Sequence, residues 1–201
     1  MTRPRVLAVH GIKTPTDEQY GLLWASAIHS VTGIDVEVTE ARWASTGTVL
    51  GDLLKLLAVP GQLRGAVGDV ARQIYLFDEL GVEAPSVIIA HSMGQALALE
   101  AVRALRCTIP VVTLGGPLSH PVFAQALRTA GIARAPALTP VHLWNRDDGV
   151  CASKLFGTRH PHWMAAHEVV VPGWGGYALE HPAERYLASP VATEILRGVL
   201  R

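Results

Sequence analysis

The hydrophobic residues of this chain gather in short β-branched runs that are each closely followed by turn or cap residues, and stretches with helical spacing lie between the runs. Short apolar runs predict strands, and strands that alternate with helices predict parallel pairing with helices on both faces of the sheet. The pattern therefore predicts an α/β fold with a mostly parallel sheet of about six strands. The clearest predicted strands are residues 5–10, 86–90, 109–114 and 168–171, with weaker candidates at 35–39 and 141–144.

Several stretches between the predicted strands have the apolar spacing of helices, among them residues 95–105 and 190–200. In residues 18–31 the spacing places four apolar side chains near one face: Leu22, Leu23, Ala27 and Ile28. Residues 48–80 predict two helices or one broken helix, and this segment is also a candidate for a small lid over a pocket. Because no repeat, low-complexity tract or linker interrupts the chain, we expect residues 1–201 to form a single domain.

Composition narrows the class of protein. Apolar residues make up 49% of the 201 residues and charged residues 17%, against roughly 25% charged in an average domain. The formal net charge is zero and no run of Lys or Arg occurs, so we expect no binding to nucleic acid or to an anionic membrane surface. The two cysteines are too few for a disulfide framework. The apolar run at residues 6–9 is too short for a signal-peptide core, and no stretch has the length of a membrane helix. We therefore expect no stable membrane insertion and a cytoplasmic location.

The segment around Ser92 has the pattern of a nucleophile elbow. The apolar run of the predicted strand leads into Ala90-His91-Ser92-Met93-Gly94, and a strongly helical stretch follows at once. A turn of this kind between strand and helix exposes its central Ser and needs small residues two positions before and after it, as Ala90 and Gly94 provide. The alternative is that Ser92 merely caps the helix, since Ser is a favoured N-cap residue. The strand on one side and the helix on the other favour Ser92 as a nucleophile.

The first predicted strand ends in His10-Gly11-Ile12, which suits a loop that helps to form an oxyanion hole. Gly11 gives the backbone freedom to aim an N–H group at a reacting carbonyl oxygen, and the N–H of Ile12 is the expected donor. The second donor is the N–H of Met93, the residue after the nucleophile. His10 is then a residue that orients the loop. On its own this segment also fits an ordinary turn at the end of a strand.

A serine nucleophile needs a base, and the base needs an orienting carboxylate. In α/β folds with a nucleophile elbow, the carboxylate follows the serine along the chain and the histidine follows the carboxylate. Asp147 and Asp148 both follow the predicted strand at 141–144, on a loop at the same sheet edge as Ser92. Either one can be the acid, with the other capping the turn. Glu168 falls inside a predicted strand, which disfavours it.

Among the five histidines at 142, 160, 162, 167 and 181, topology favours His181 as the base, because it lies on the loop between the last predicted strand and the final helix. His142 falls inside a predicted strand and is expected in the core. His167 directly precedes the last predicted strand, which places it at the wrong end of the sheet.

The histidines at 160, 162 and 167 lie close together in the sequence and are candidates for a metal site. They lack the His-Glu-x-x-His spacing on a helix, and no pair of cysteines accompanies them, so we expect no metal. No Gly-x-Gly-x-x-Gly or phosphate-binding loop follows the first predicted strand, so we expect no nucleotide cofactor.

The motifs together resemble those of the bacterial α/β-hydrolases of the small esterase/lipase kind. The landmarks, in chain order, are VHGI, AHSMGQALALEA, VVTLGGPLSHPVF, WNRDDGV and HPAERYLASPV. In that family the last two segments carry the acid and the base, which agrees with His181. The common Asp-x-Val pattern around the family's acid selects Asp148, with Asp147 as the alternative. Residues 115–118 look like a structural loop of the family beside the active site.

The resemblance implies a small-molecule ester substrate, cleaved by a Ser92–His181–Asp148 triad through an acyl-enzyme. Ala90, in place of the family's more usual Gly, and the segment 48–80 depart from the pattern without affecting the expected chemistry. Two other functions remain open. One is a non-catalytic relative that keeps the fold and binds a lipid or a protein, and the other is an acyltransferase or thioesterase that uses the same triad.

Overall fold

The architecture was established from a computed structural model, which describes residues 2–11, 19–41, 60–79, 84–132, 134–153, 155–170 and 182–201. The strands, in chain order, are β1 (Arg5–Val9), β2 (Glu37–Ala41), β3 (Val87–His91), β4 (Val111–Leu114), β5 (Val141–Trp144) and β6 (Ala165–Glu168). The helices are α1 (Gln19–Thr32), α2 (Pro60–Glu79), α3 (Gly94–Leu105), α4 (Pro121–Thr129), α5 (Ala183–Leu187) and α6 (Pro190–Val199), with a 3₁₀ turn at Pro117–Ser119.

The six strands form one sheet in the order β2-β1-β3-β4-β5-β6, and every neighbouring pair is parallel. The prediction of an α/β fold with a parallel sheet of about six strands is therefore confirmed. In a parallel sheet the carboxyl ends of all strands meet at one edge, so the turns that follow β1, β3, β4 and β5 are neighbours. Ligands of open α/β sheets bind at this edge.

Both faces of the sheet are buried, and the side chains of β1 show why the sequence forms such a strand. Leu7 and Val9 pack on one side with residues of α2 and α3, while Val6 and Ala8 pack on the other side with residues of α1, α5 and α6. Successive side chains of a strand point to opposite faces. A strand with helices on both sides must therefore be apolar at every position, which explains the continuous apolar runs.

The predicted face of α1 is correct for Ala27 and Ile28 and wrong for Leu22 and Leu23. Leu22 and Leu23 are 70% and 54% exposed, whereas Trp24 and Ile28 are fully buried against the sheet. Positions four apart lie on one face of a helix, and the large apolar surface of Trp24 makes its own face the one that gains most from burial.

The last strand lies three residues earlier than predicted, at Ala165–Glu168 instead of 168–171. Pairing with β5 sets its position, since Val141 aligns with Ala165 and Trp144 with Glu168. The valines that suggested a strand follow it, and Val170 is 80% exposed. The strand β2 is likewise displaced by two residues from the prediction of 35–39.

Helix α2 confirms a helix in the second half of the segment 48–80. The first half lies outside the described residues, and so does the prediction of a lid. Among the helices that the structure describes, none is both long enough and apolar enough to cross a membrane.

Candidate active site

Ser92 occupies a sharp turn between β3 and α3, with φ of 56°. Its N–H donates to the carbonyl of Leu114 at 3.0 Å, and its own carbonyl accepts from the N–H of Gln95 at 3.0 Å. A left-handed conformation costs a non-glycine residue of the order of 1–3 kcal/mol and persists only where the surroundings impose it. The neighbouring strand and the first turn of α3 supply these constraints.

The geometry argues against Ser92 as a simple helix cap. The N-cap of α3 is Met93, which has helical backbone angles and whose side chain makes no capping hydrogen bond. An N-cap serine instead has extended backbone angles and a side chain that accepts from the helix N–H groups. Ser92 lies one residue earlier and is partly exposed. Ser92 therefore does not occupy the N-cap position.

The turn packs so tightly on the end of β1 that two glycines are required. A Cβ on Gly94 would lie 2.7 Å from the carbonyl oxygen of His10, and a Cβ on Gly11 would lie 2.5 Å from the Cβ of Ser92. Real Cβ atoms do not approach other heavy atoms this closely. The small residue predicted at position 94 is thus needed for contact with β1, and Gly11 brings the loop after β1 directly against Ser92.

The predicted oxyanion loop is described as far as Gly11, and Ile12 lies outside the described residues. His10 is buried, and its Nδ1 lies 2.7 Å from the carbonyl oxygen of Gly11. Because a carbonyl can only accept, Nδ1 carries the proton in this contact. The contact links His10 to the loop that it was predicted to orient. Met93 is buried at the N-terminal end of α3. The first backbone N–H groups of a helix have no acceptor within the helix, which is the property that an oxyanion donor needs.

The structure separates the two candidate acids. Asp147 is exposed, while Asp148 is fully buried. The Oδ1 atom of Asp148 accepts from the N–H of Val150 at 2.8 Å, and its Oδ2 atom accepts from the hydroxyl of Tyr186. The N–H of Asp147 donates to the side-chain oxygen of Asn145 at 2.7 Å. A buried, hydrogen-bonded carboxylate has the fixed orientation that a triad acid needs.

Asp148 lies at the same sheet edge as Ser92, and the turn after β4 connects the two. The carbonyl of Leu114 accepts from the N–H of Ser92, and a Cβ on the next residue, Gly115, would lie 2.9 Å from Oδ2 of Asp148. This places Gly115, in the segment predicted as a structural loop, between the two residues.

Burial controls the protonation of the groups beside Asp148. It is the main cause that raises the pKa of the Tyr186 hydroxyl, and the neighbouring Cys151 and Asp148 raise that pKa further. Burial likewise raises the pKa of the Cys151 thiol. Tyr186 therefore remains a protonated donor to the carboxylate. The two cysteines, Cys107 and Cys151, are not joined in a disulfide.

His181 lies outside the described residues. The nearest described element is α5, which begins at Ala183 and carries Tyr186 against Asp148. The chain therefore comes back to the predicted acid within five residues of His181.

The other histidines have different surroundings. His142 is fully buried in β5, as predicted, and burial, then the nearby His160, lowers its pKa to about 3. His160 lies against Trp144 with ring centroids 4.7 Å apart, and its Nδ1 is 2.7 Å from the hydroxyl of Ser119. His167 lies within β6 and is exposed, so the prediction that it precedes the last strand is wrong. Within the described part of the chain, no three His, Cys, Asp or Glu side chains gather as a metal site would require.

Sequence reasoning missed two buried polar residues at this site, Gln95 and Tyr186. Both lie within segments that carried the family resemblance, AHSMGQ and HPAERY. A polar side chain at a helix position that faces the sheet is the signal that could have marked Gln95, because such positions are normally apolar.

The strand order, the left-handed Ser92 between strand and helix, and the buried carboxylate after β5 together define the α/β-hydrolase class of fold. Two solved structures are similar to the chain. The esterase domain of a Rhodothermus marinus protein has 15% identity and a TM-score of 0.47 over 97% of this chain and 84% of the other. A proline iminopeptidase-related protein from Thermus thermophilus has 14% identity and a TM-score of 0.47 over 98% and 89%. Neither likeness is close enough to bear on what the chain does. No protein-family model and no curated protein matches the sequence.

Proposed function

We propose that this chain is a serine hydrolase that cleaves carboxylic esters through an acyl-enzyme, with Ser92 as nucleophile, His181 as base and Asp148 as the orienting acid. The observation that carries the proposal is the left-handed, partly exposed Ser92 at the start of α3. A strained residue of this kind is typical of functional sites. The buried Asp148 at the same sheet edge supports it.

In this mechanism Ser92 Oγ attacks the ester carbonyl while His181 accepts the hydroxyl proton. The bond from Oγ to the acyl carbon forms, and the carbonyl oxygen takes the negative charge. The N–H groups of Met93 and Ile12 stabilise this oxyanion. Gly11, which precedes Ile12 in the chain, packs directly against Ser92. His181 then gives its proton to the leaving alcohol as the ester bond breaks.

Water completes the cycle. It attacks the acyl carbon as His181 accepts its proton, and the proton returns to Ser92 Oγ as the carboxylic acid leaves. Throughout, Asp148 accepts from the His181 imidazole and stabilises its cationic form. The N–H of Val150 and the hydroxyl of Tyr186 keep the carboxylate in one orientation. A carboxylate oxygen can accept more than one hydrogen bond, so these two bonds are compatible with a third from the histidine.

Labelling with a fluorophosphonate probe, read by intact mass, tests the nucleophile. We expect one adduct on the wild type, none on Ser92→Ala, and one on the control Ser30→Ala, which removes an exposed hydroxyl from α1. The same proteins are then assayed with p-nitrophenyl acetate. No adduct and no turnover on folded wild type would contradict the proposal and favour a non-catalytic binding protein.

A second experiment tests the base. We expect His181→Asn to lower kcat by at least about 10³-fold, in the range seen when a triad member is removed. His160→Asn removes a histidine whose Nδ1 contacts the hydroxyl of a different serine, Ser119, and it should retain most activity. If His160→Asn loses activity and His181→Asn keeps it, His181 is not the base.

The substrate class needs a separate assay. Transfer of the acyl group to an added alcohol or thiol would indicate an acyltransferase, and activity on thioesters would indicate a thioesterase.

A further inference from the structure

The side chain of Gln95 is fully buried directly behind the nucleophile turn, and its amide contacts three separate elements. Its Oε1 accepts from the N–H of Leu118 at 2.9 Å. Its Nε2 donates to the hydroxyl of Thr113 at 3.0 Å and lies 3.1 Å from Nδ1 of His142. One side chain thus joins the first turn of α3 to β4, to β5 and to the 3₁₀ turn.

The protonation of His142 is consistent with this arrangement. Because the N–H of Leu118 can only donate, it fixes Oε1 as the acceptor and leaves the amide nitrogen of Gln95 facing His142. In a hydrogen bond with this amide, Nδ1 of His142 is the acceptor, and the hydroxyl of Thr113 lies 2.8 Å from the same nitrogen. Burial lowers the pKa of His142 to about 3, so the imidazole is neutral and has a lone pair for this bond at ordinary pH.

The loop that Gln95 holds lies between the two predicted catalytic residues. A Cβ on Gly116 would lie 2.6 Å from the Cβ of Gln95, and Gly115 beside it contacts Asp148 and Tyr186. On the other side, the backbone N–H of Gln95 closes the turn on the carbonyl of Ser92. Gln95 therefore contacts the nucleophile turn through its backbone and the loop toward the acid through its side chain.

We propose that Gln95 is a positioning residue, whose buried amide holds Ser92 in its left-handed conformation and fixes the 115–118 loop between Ser92 and Asp148. This inference rests on the proposed hydrolase function. A strained turn stays in place only when its surroundings over-determine it. The hydrogen bonds of Gln95 anchor the first turn of α3 to the sheet, so the turn cannot relax without breaking them.

The main test is Gln95→Met, which keeps the length of the side chain and removes its hydrogen bonds. A misplacement of about 1 Å costs up to about 100-fold in rate, so we expect kcat and the rate of fluorophosphonate labelling to fall together by roughly 10- to 100-fold. KM should change by less than about threefold, because no contact with substrate is lost. Assays are run well below the melting temperature of each variant, where a merely structural role would leave kcat per folded molecule unchanged.

Thr113→Val is the milder second variant, useful if Gln95→Met does not fold. It removes one partner of the Gln95 amide and preserves the bond to Leu118, so a smaller fall of about two- to tenfold is expected. Gln125→Met is the matched control, because Gln125 is exposed on α4 and its side chain bonds only the neighbouring Arg128 among the contacts that the structure gives it. This control should have wild-type kinetics.

The outcomes separate the two proposals. If wild type and Gln125→Met label and turn over while folded Gln95→Met does the same at an equal rate, the positioning role is wrong and the hydrolase function stands. An equal rate for Thr113→Val, where Gln95→Met does not fold, has the same meaning. If folded wild type neither labels nor turns over, the hydrolase function itself is wrong, and the positioning role is overturned with it.

Discussion

Replacing Tyr186 with Phe removes a single hydroxyl from the interior of the protein and leaves the ring in place. Tyr186 and Asp148 are both fully buried, and the lost hydroxyl donates to Oδ2 of the carboxylate. A hydrogen bond to a charged group contributes about 1.5–3 kcal/mol to stability, and water cannot replace it at a buried site. For a domain of this size each kcal/mol corresponds to about 2–4 °C in the melting temperature. We therefore expect Tyr186→Phe to melt about 3–12 °C below the wild type.

Urea unfolding at pH 7, followed by far-UV circular dichroism, gives the free energy of unfolding for each protein. Ser30→Ala is the control, since it removes an exposed hydroxyl from α1 and should change stability by less than about 0.5 kcal/mol. If Tyr186→Phe matches this control, the hydroxyl of Tyr186 does not support the buried carboxylate, and the account of the acid given above is wrong.

Wild type and Tyr186→Phe should also differ in how their stability depends on pH in alkali. The folded state raises the pKa of Tyr186 above its ordinary value of 10.0, so the unfolded chain releases this proton first as the pH rises. The stability that Tyr186 contributes through its raised pKa is complete below pH 10, and it is lost above pH 10 at up to about 1.4 kcal/mol per pH unit. We expect the free energy of unfolding of the wild type to fall more steeply above pH 10 than that of Tyr186→Phe. Equal slopes would show that the phenol is not held protonated.

Three further predictions concern other parts of the molecule. Gly94→Ala should abolish fluorophosphonate labelling and lower the melting temperature, because its Cβ would lie 2.7 Å from the carbonyl of His10; labelling at the wild-type rate would contradict the packing of the turn on β1. Because His142 has a pKa of about 3 in the folded state, the free energy of unfolding should decrease from pH 6.5 toward pH 3, by up to about 1.4 kcal/mol per unit. His142→Phe should reduce that slope, and an unchanged slope would exclude His142 as its source. In native protein, iodoacetamide should modify the half-buried Cys107 before the fully buried Cys151, as peptide mass mapping would show, and modification in the opposite order would be inconsistent with the burial of Cys151.

Most of the sheet could be predicted from the sequence because its strands are buried on both faces. For β1, β3 and β4 this burial leaves apolar runs that stand out from the amphipathic stretches around them. The strand β6 lies at the sheet edge and reads Ala-Ala-His-Glu, with no position fully buried. Such a strand is defined by pairing with β5 and not by its own composition, so the apolar valines after it were mistaken for the strand.

The same distinction applies to the site. The turn at Ser92 could be predicted because its constraints are local: a strand, small residues at fixed spacing and a helix. The choice between Asp147 and Asp148 could not be made from the residues alone, since both follow β5 on one loop. Tertiary packing separates them, because the hydroxyl of Tyr186, far along the chain, bonds Asp148 and leaves Asp147 exposed.

The position of β1 in the sheet has a consequence for how the protein folds as it is synthesised. Although β1 precedes the other strands in the chain, it lies inside the sheet, between β2 and β3. Its second neighbour is complete only when His91 has been made, and Val6 pairs with Val87 across 81 residues. Long-range pairing of this kind is slow and leaves apolar strands exposed in the meantime. A nascent chain that has not yet reached β3 therefore presents an unpaired edge of β1, and shielding of this segment by a chaperone should increase the yield of folded protein.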